Sequence, residues 1–138
     1  MTFTEERMNL FNVADDYVFA HCISADFALG AGIAREFNKR FDTRKQLREQ
    51  YRYAKGVCFK TDRVYNLVTK DYYWEKPTLA SMHCALTQLR NAVVKDNVKK
   101  LAMPKIGCGL DRLSWSLVSE MIKMVFQDTD VDVLICYL

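Results

Sequence analysis

A chain of 138 residues, half of them apolar and 12% aromatic, can bury a real core, which excludes a disordered protein and suits a single domain spanning 1–138. Its net charge of +3, from 20 basic and 17 acidic side chains, is too small an excess for a dedicated nucleic-acid protein and is compatible with a small dianionic ligand. No apolar run approaches the length of a membrane span, so no membrane partner is expected.

In chain order, residues 2–7 read as a short first strand. The N-terminus MTFTEERMNLF carries acidic residues and lacks the basic head and apolar core of a secretion signal, so an intracellular protein, in the cytoplasm and/or nucleus, is expected. Tyr17–Ile23 is a β-rich apolar run that ends before SADFALGAG, which reads as a loop. Ile33, Phe37 and Phe41 then recur at helical spacing, and TRKQLREQYRY forms a second helix with Asp42 as its cap, broken at Gly56. Lys39, Arg40, Arg44, Lys45, Arg48, Arg52 and Lys55 give this region a basic stretch, read as a solvated helix face or as a docking surface for phosphate or an acidic partner. VCFKT and RVYNLVT are two short β-prone runs around Asp62, a hairpin or neighbouring strands.

Pro77 and Thr78 open the longest helix, with an apolar stripe of Leu79, Met82, Leu86, Leu89 and Val93. VKKLAM is the next strand and stops at Pro104. Ser114 or Ser116 caps a last helix with the stripe Val118, Met121, Ile122 and Val125. VDVLICYL closes the chain as a buried strand. Strand, helix, strand, helix, strand in the second half argues for an α/β sandwich with a mostly parallel or mixed sheet, in which ligands collect at the carboxyl ends of strands. The five cysteines are an odd count without CxxC, which fits free thiols in a reducing compartment, and adjacent His21–Cys22 and His83–Cys84 are poorly spaced for a shared metal. No metal site is expected.

Four of the five glycines, Gly30, Gly32, Gly107 and Gly109, occupy two loops that each follow a β-prone run and precede a helix. Glycine lets an incoming group approach bare N–H groups, and a helix start adds orphan donors and partial positive charge. Two such loops side by side would clasp a diphosphate, although each alone also reads as a tight turn. GAGIA is not the dinucleotide fingerprint GxGxxG, and no GK[ST] follows GCG. Ser24 and Asp26 add a hydroxyl and a carboxylate to the first loop, where Asp26 also reads as a turn residue. A third loop begins at Lys70, past the end of a buried strand, and Tyr72, Tyr73 and Trp74 after it could stack on a base or sugar or cover the core.

Taken together, HCIS…GAGIA, LVTK and MPKIGCGLDRLSW resemble a macrodomain over essentially the whole chain, from MNLF at residue 8 to the last strand. LVTK paired with GCGLDR resembles the ADP-ribose protein glycohydrolase branch of that family. The resemblance implies a three-layer α/β/α fold with a central mixed, mostly parallel sheet and a cleft for ADP-ribose above it. It further implies hydrolysis of the ester between ADP-ribose and a glutamate or aspartate side chain, deacetylation of O-acetyl-ADP-ribose, and action as a monomer without a cofactor. Carried over by position, the catalytic residues are Lys70 and Asp111. The ligand-binding residues are Ser24, Gly30, Ala31, Gly32, Ile33, Ala34, Ile106, Gly107, Cys108, Gly109 and Leu110, with Asn9 and Leu10 at the adenine. Asn9 departs from the carboxylate usual there and would accept adenine's amino group without a charge.

The chemistry implied is attack at the anomeric carbon. Lys70 would act as a nucleophile through its neutral amine, giving a lysyl–ADP-ribose adduct resolved with help from Asp111. Alternatively Asp111 would activate water while a charged Lys70 steadies the leaving carboxylate. Two other functions stay open: a reader that binds ADP-ribose without cleaving it, and a hydrolase of ADP-ribosylated nucleic-acid bases, nucleic acid being the less favoured partner.

Overall fold

The computed structural model describes residues 1–138. Six strands form one mixed sheet: β1 (Thr2–Arg7), β2 (Val18–Ser24), β3 (Val57–Thr61), β4 (Val64–Lys70), β5 (Lys100–Met103) and β6 (Asp132–Tyr137), in the order β1-β6-β5-β2-β4-β3. Four of the five pairings are parallel, and only β3 runs antiparallel, to β4. The parallel strands must be joined by crossovers, and these are the helices α1 (Gly32–Phe41), α2 (Thr43–Gln50), α3 (Leu79–Lys95) and α4 (Trp115–Phe126). Together they make three layers, with the sheet in the middle, as the resemblance implies.

The inner strands read apolar on both faces because both are covered. Val64 to Thr69 of β4 are buried without interruption. On one face Tyr65, Leu67, Leu101, Met103, Val133 and Ile135 meet Met82, Leu86, Leu89 and Val93 of α3 and Val118, Ile122 and Phe126 of α4. On the other, Phe19, Val64, Ala102 and Leu134 meet Phe37 of α1 and Leu10 of a short 3-10 turn, and Ile23 and Val68 meet Leu47 of α2. Each fully buried large apolar side chain stabilises the fold by about 1.5–3 kcal/mol.

The predicted β3–β4 hairpin turns at Asp62, which adopts φ +53°. α3 begins after a capping box: Thr78 Oγ1 accepts from the Ser81 amide and Ser81 Oγ from the Thr78 amide, both at 3.0 Å. The α3 stripe differs from expectation at Leu79, which is exposed, while Ala85 is buried in its place. In α4 the predicted Val118 and Ile122 are buried, Met121 and Val125 are half-buried, and Phe126, absent from the predicted stripe, is fully buried; Ser114 stands at the cap position without a capping bond, its hydroxyl facing that of Ser116 at 3.1 Å.

The second helix is corrected at both ends. Asp42 is a left-handed link between α1 and α2 (φ +53°) with no capping bond of its own; Asn38 Oδ1 accepts the Arg44 amide at 3.0 Å instead. The helix stops at Gln50, not at Tyr53, because Tyr51 turns extended, stacks on Phe59 at 4.2 Å and donates its hydroxyl to the Lys60 carbonyl at 2.6 Å. The basic stretch is in part structural. Arg44 donates twice to the Ala28 carbonyl, at 2.6 and 3.0 Å, and Arg40 lies over the Phe11 ring.

Candidate active site

The carboxyl ends of β2, β4 and β5 open into one cleft with a cavity of about 510 Å³. The three loops leaving those strands build its walls, as expected for a parallel α/β sheet.

The first wall is residues 25–31. It is held rigidly, since Phe27 and Leu29 adopt φ +55° and +45° while burying their side chains beside Ile23, Leu47 and Val68. Such conformations persist only when the surroundings fix them. Asp26 supplies part of that fixation: it accepts from Ser24 Oγ at 2.5 Å and the Ala28 amide at 3.1 Å, and from the Tyr73 amide on the neighbouring loop at 3.1 Å. The turn reading of Asp26 therefore holds, and it also ties two walls together. The loop delivers Gly30 and Ala31 to the start of α1, where the cap residue Ala31 has no side-chain bond to the first turn. The first-turn N–H groups are thus left without a capping side chain at the cavity rim.

The second wall is residues 104–113. Gly107 is buried at φ +73°, and Gly109 has open space where a side chain would stand. The third wall follows β4. Lys70 is the last residue of that strand and not the first of the loop, as the sequence suggested. Its neighbourhood is fixed by Ser81 Oγ donating to the Thr69 carbonyl at 2.6 Å and by the Ala25 amide donating to the Lys70 carbonyl at 2.9 Å.

Across the cavity, Lys70 Nζ donates to Asp111 Oδ1 at 2.7 Å, with both side chains largely buried, 14% and 15% exposed. An ammonium and a carboxylate separated by 41 positions in the chain thus face the same space. Cys22 shares that wall, but burial and the charge of Asp111 push its thiol up, so it stays protonated and is no nucleophile. No group of three or more His, Cys, Asp or Glu side chains converges on a metal-sized point.

Of the residues singled out in the sequence, Ser24, Gly30 to Ala34, Lys70, Ile106, Gly107, Gly109, Leu110 and Asp111 all line the cavity. Asn9, Leu10 and Cys108 do not. Asn9 Oδ1 accepts the Phe11 amide at 2.9 Å, which starts the 3-10 turn, and Leu10 is in the core. The Cys108 thiol donates back to the Ile106 carbonyl at 3.2 Å. Tyr72, Tyr73 and Trp74 are exposed and cover no core; Tyr72 and Trp74 stack on each other at 4.8 Å, and only Tyr73 lines the cavity. Sequence reasoning missed Lys105, also on the lining, whose ammonium lies 4.3 Å from the Tyr137 ring centre. A lysine inside MPKIGCG was the available signal.

No family model matches the chain. Human ADP-ribose glycohydrolase OARD1 is 40% identical over 133 residues, 94% of this chain and 88% of the human protein. Among solved structures, the macrodomain of Mycobacterium tuberculosis DarG matches with a TM-score of 0.88 at 23% identity, over 99% of this chain and 98% of that one. Thermosipho africanus DarTG, solved in complex with ADP-ribose, matches with a TM-score of 0.81 at 15% identity, over 99% of this chain and 42% of that one. The last two likenesses carry the fold, and the first carries the kinship. The chain belongs to the macrodomain family, in the branch that includes ADP-ribose glycohydrolase OARD1.

Proposed function

We propose that this protein hydrolyses ADP-ribosyl esters, releasing ADP-ribose from glutamate or aspartate side chains and acetate from O-acetyl-ADP-ribose. The observation that carries the reading is the Lys70–Asp111 pair at 2.7 Å, half-enclosed at the end of a cleft with glycines on two walls. Kinship with an ADP-ribose glycohydrolase and a fold shared with a protein solved with ADP-ribose support it. In this reading the diphosphate lies against the amides of loop 30–33 and of Gly107, Gly109 and Leu110, and the distal ribose meets Lys70 and Asp111.

The proposed reaction starts when Asp111 takes a proton from the Lys70 ammonium, to which it is already hydrogen-bonded. The neutral amine attacks the anomeric carbon. The C–N bond forms as the C–O bond to the acyl group breaks, and glutamate leaves as a carboxylate. Water then attacks the same carbon and gives up a proton to solvent as the C–N bond breaks, and the departing amine takes back the proton held by Asp111, giving free ADP-ribose and the original ammonium–carboxylate pair. O-acetyl-ADP-ribose, with its acyl group on another hydroxyl, instead requires attack of water on the acyl carbonyl, for which Asp111 serves as base and Lys70 as the cation facing the developing charge.

The test is to incubate the protein separately with glutamate-linked, arginine-linked and thymidine-linked ADP-ribose. Release from the glutamate ester alone supports the proposal. Binding without release from any of the three makes the protein a reader, and release from thymidine alone makes it a nucleic-acid hydrolase.

A further inference from the structure

Asp111 stands on a segment with little support of its own. Between Gly107 and Leu113 the hydrogen bonds within the loop are Arg112 amide to Gly109 carbonyl at 3.3 Å, Leu113 amide to Gly107 carbonyl at 2.6 Å, and the Cys108 amide and thiol reaching back to Lys105 and Ile106. Gly109 touches nothing at its side-chain position, and Arg112 is in the left-handed region at φ +59°. Only two bonds tie this segment to the rest of the molecule. One is the Lys70–Asp111 contact, and the other runs from Lys76 Nζ to the Leu110 carbonyl at 2.5 Å.

The second bond falls at a telling place. The Leu110 carbonyl belongs to the peptide link that carries Asp111. The two lysines therefore grip one residue from two sides, Lys70 by its carboxylate and Lys76 by its backbone. Lys70 ends β4 and Lys76 lies six positions on, in the segment that follows, and that segment is itself well anchored. The Tyr72 amide donates to Glu75 Oε1 at 2.8 Å, the Glu75 amide to the Tyr72 carbonyl at 3.0 Å, and the Tyr73 amide to Asp26. Pro77 is buried and the Thr78 capping box follows directly. Lys76 thus reaches from an anchored segment to a loop with few hydrogen bonds of its own, with no carboxylate within ion-pair distance to divert it.

We propose that Lys76 is a positioning residue for Asp111, clamping the Leu110–Asp111 peptide so that the carboxylate stays within proton-transfer distance of Lys70. The proposal rests on the hydrolase reading for its kinetic consequence and on the loop geometry alone for its structural one. A misplacement of about 1 Å in a reacting group can cost on the order of a hundredfold in rate. A hydrogen bond to an exposed carbonyl would otherwise matter little.

The experiment compares the wild type with Lys76→Met, which keeps the stem and removes the donor, and Lys76→Arg, which restores a donor. Hydrogen exchange is followed in the peptide spanning 108–113, and kcat and KM are measured on glutamate-linked ADP-ribose. Lys76→Met should speed exchange there by about fivefold or more and leave the α3 and β4 peptides unchanged. It should lower kcat by roughly tenfold to a hundredfold with KM within about threefold, and Lys76→Arg should recover most of the loss. In an Asp111→Ala background Lys76→Met should cost nothing further, because its effect acts through Asp111. Unchanged exchange in Lys76→Met overturns the clamp whatever the activity, and so does an equal loss of kcat with and without Asp111. A wild type that cleaves no ester, with exchange still accelerated by Lys76→Met, overturns the hydrolase reading and leaves the clamp standing.

Discussion

Leu110 reaches across the cleft to Gly32: its Cδ1 lies 3.7 Å from where a Gly32 side chain would begin. The two glycine walls therefore approach each other through one exposed leucine at the cavity rim. Gly32 at φ +57° tolerates no side chain without strain, so a charge placed there would confound folding with binding. Gly30 carries no such constraint and has only the Ala28 carbonyl near, at 4.0 Å. Gly30→Glu should keep the melting temperature of the wild type and lower affinity for ADP-ribose at least about tenfold, since a carboxylate would face the diphosphate. Calorimetry with free ADP-ribose measures this, and unchanged affinity would move the ligand off this wall.

Gly107 predicts the opposite pattern. A methyl there would stand 2.7 Å from Met82 Cε and 3.0 Å from Leu113 Cδ1, on a backbone at φ +73°. Met82 is fully buried and has little room to yield. Gly107→Ala should destabilise the fold by about 2–3 kcal/mol, read from the urea midpoint at constant slope.

The buried His21 sets a pH dependence. Asn66 spends its amide hydrogens on the Phe59 carbonyl and Thr61 Oγ1, both at 2.9 Å, so its Oδ1 can only accept, and His21 Nε2 must donate to it at 2.6 Å. His21 Nδ1 is then the bare nitrogen, without a partner. Burial pushes the pKa of His21 down to about 4. The unfolded chain takes this proton near pH ~6.5 and the folded one only near 4, so between those values the unfolded state binds more protons. Stability is fully present above the window and falls as the pH falls through it, by roughly 3 kcal/mol in all at about 1.4 kcal/mol per unit. Urea titrations at pH 7.5 and 5 should show the loss, and His21→Gln should flatten that part of the profile even if it lowers overall stability.

Much of this molecule is legible in the sequence because its signals are local. Apolar runs such as VYNLVT and VDVLICYL and the stripes of α3 and α4 report burial directly, and the motif residues Lys70 and Asp111 come with their strands and glycines. What was not legible depends on partners outside the element itself, from a few positions to more than thirty away. Asp42 looks like a cap, but the acceptor for the Arg44 amide is Asn38, positioned by the preceding helix. YRY continues the helical composition, yet Tyr51 leaves the helix for a stacking partner on β3. Lys105 and Lys76 look like ordinary surface lysines until the fold sets one over Tyr137 and the other against the Leu110 carbonyl. Asn9, placed at the adenine only by resemblance, has a local role that its residue type alone did not reveal: its oxygen accepts the Phe11 amide and starts the 3-10 turn.

The Lys70–Asp111 contact makes the decisive prediction about chemistry. If Lys70 attacks the sugar, Lys70→Ala should abolish release of ADP-ribose from glutamate while ADP-ribose still binds, because the diphosphate walls are untouched. Lys70→Arg should fail nearly as badly: it keeps a cation beside Asp111, but a guanidinium is never neutral at workable pH and cannot form the C–N bond. Asp111→Ala should behave differently. It removes the group that takes and returns the proton, so the amine that does attack is released slowly. Intact-mass spectrometry of Asp111→Ala mixed with substrate should then show one ADP-ribose joined to the protein, and peptide mapping should place it on Lys70. Substantial activity in Lys70→Arg would refute the covalent route, since only a lysine acting as a fixed cation tolerates that change, and the reaction would pass to water activated by Asp111. Full activity in both Lys70→Ala and Asp111→Ala would remove the pair from the chemistry altogether.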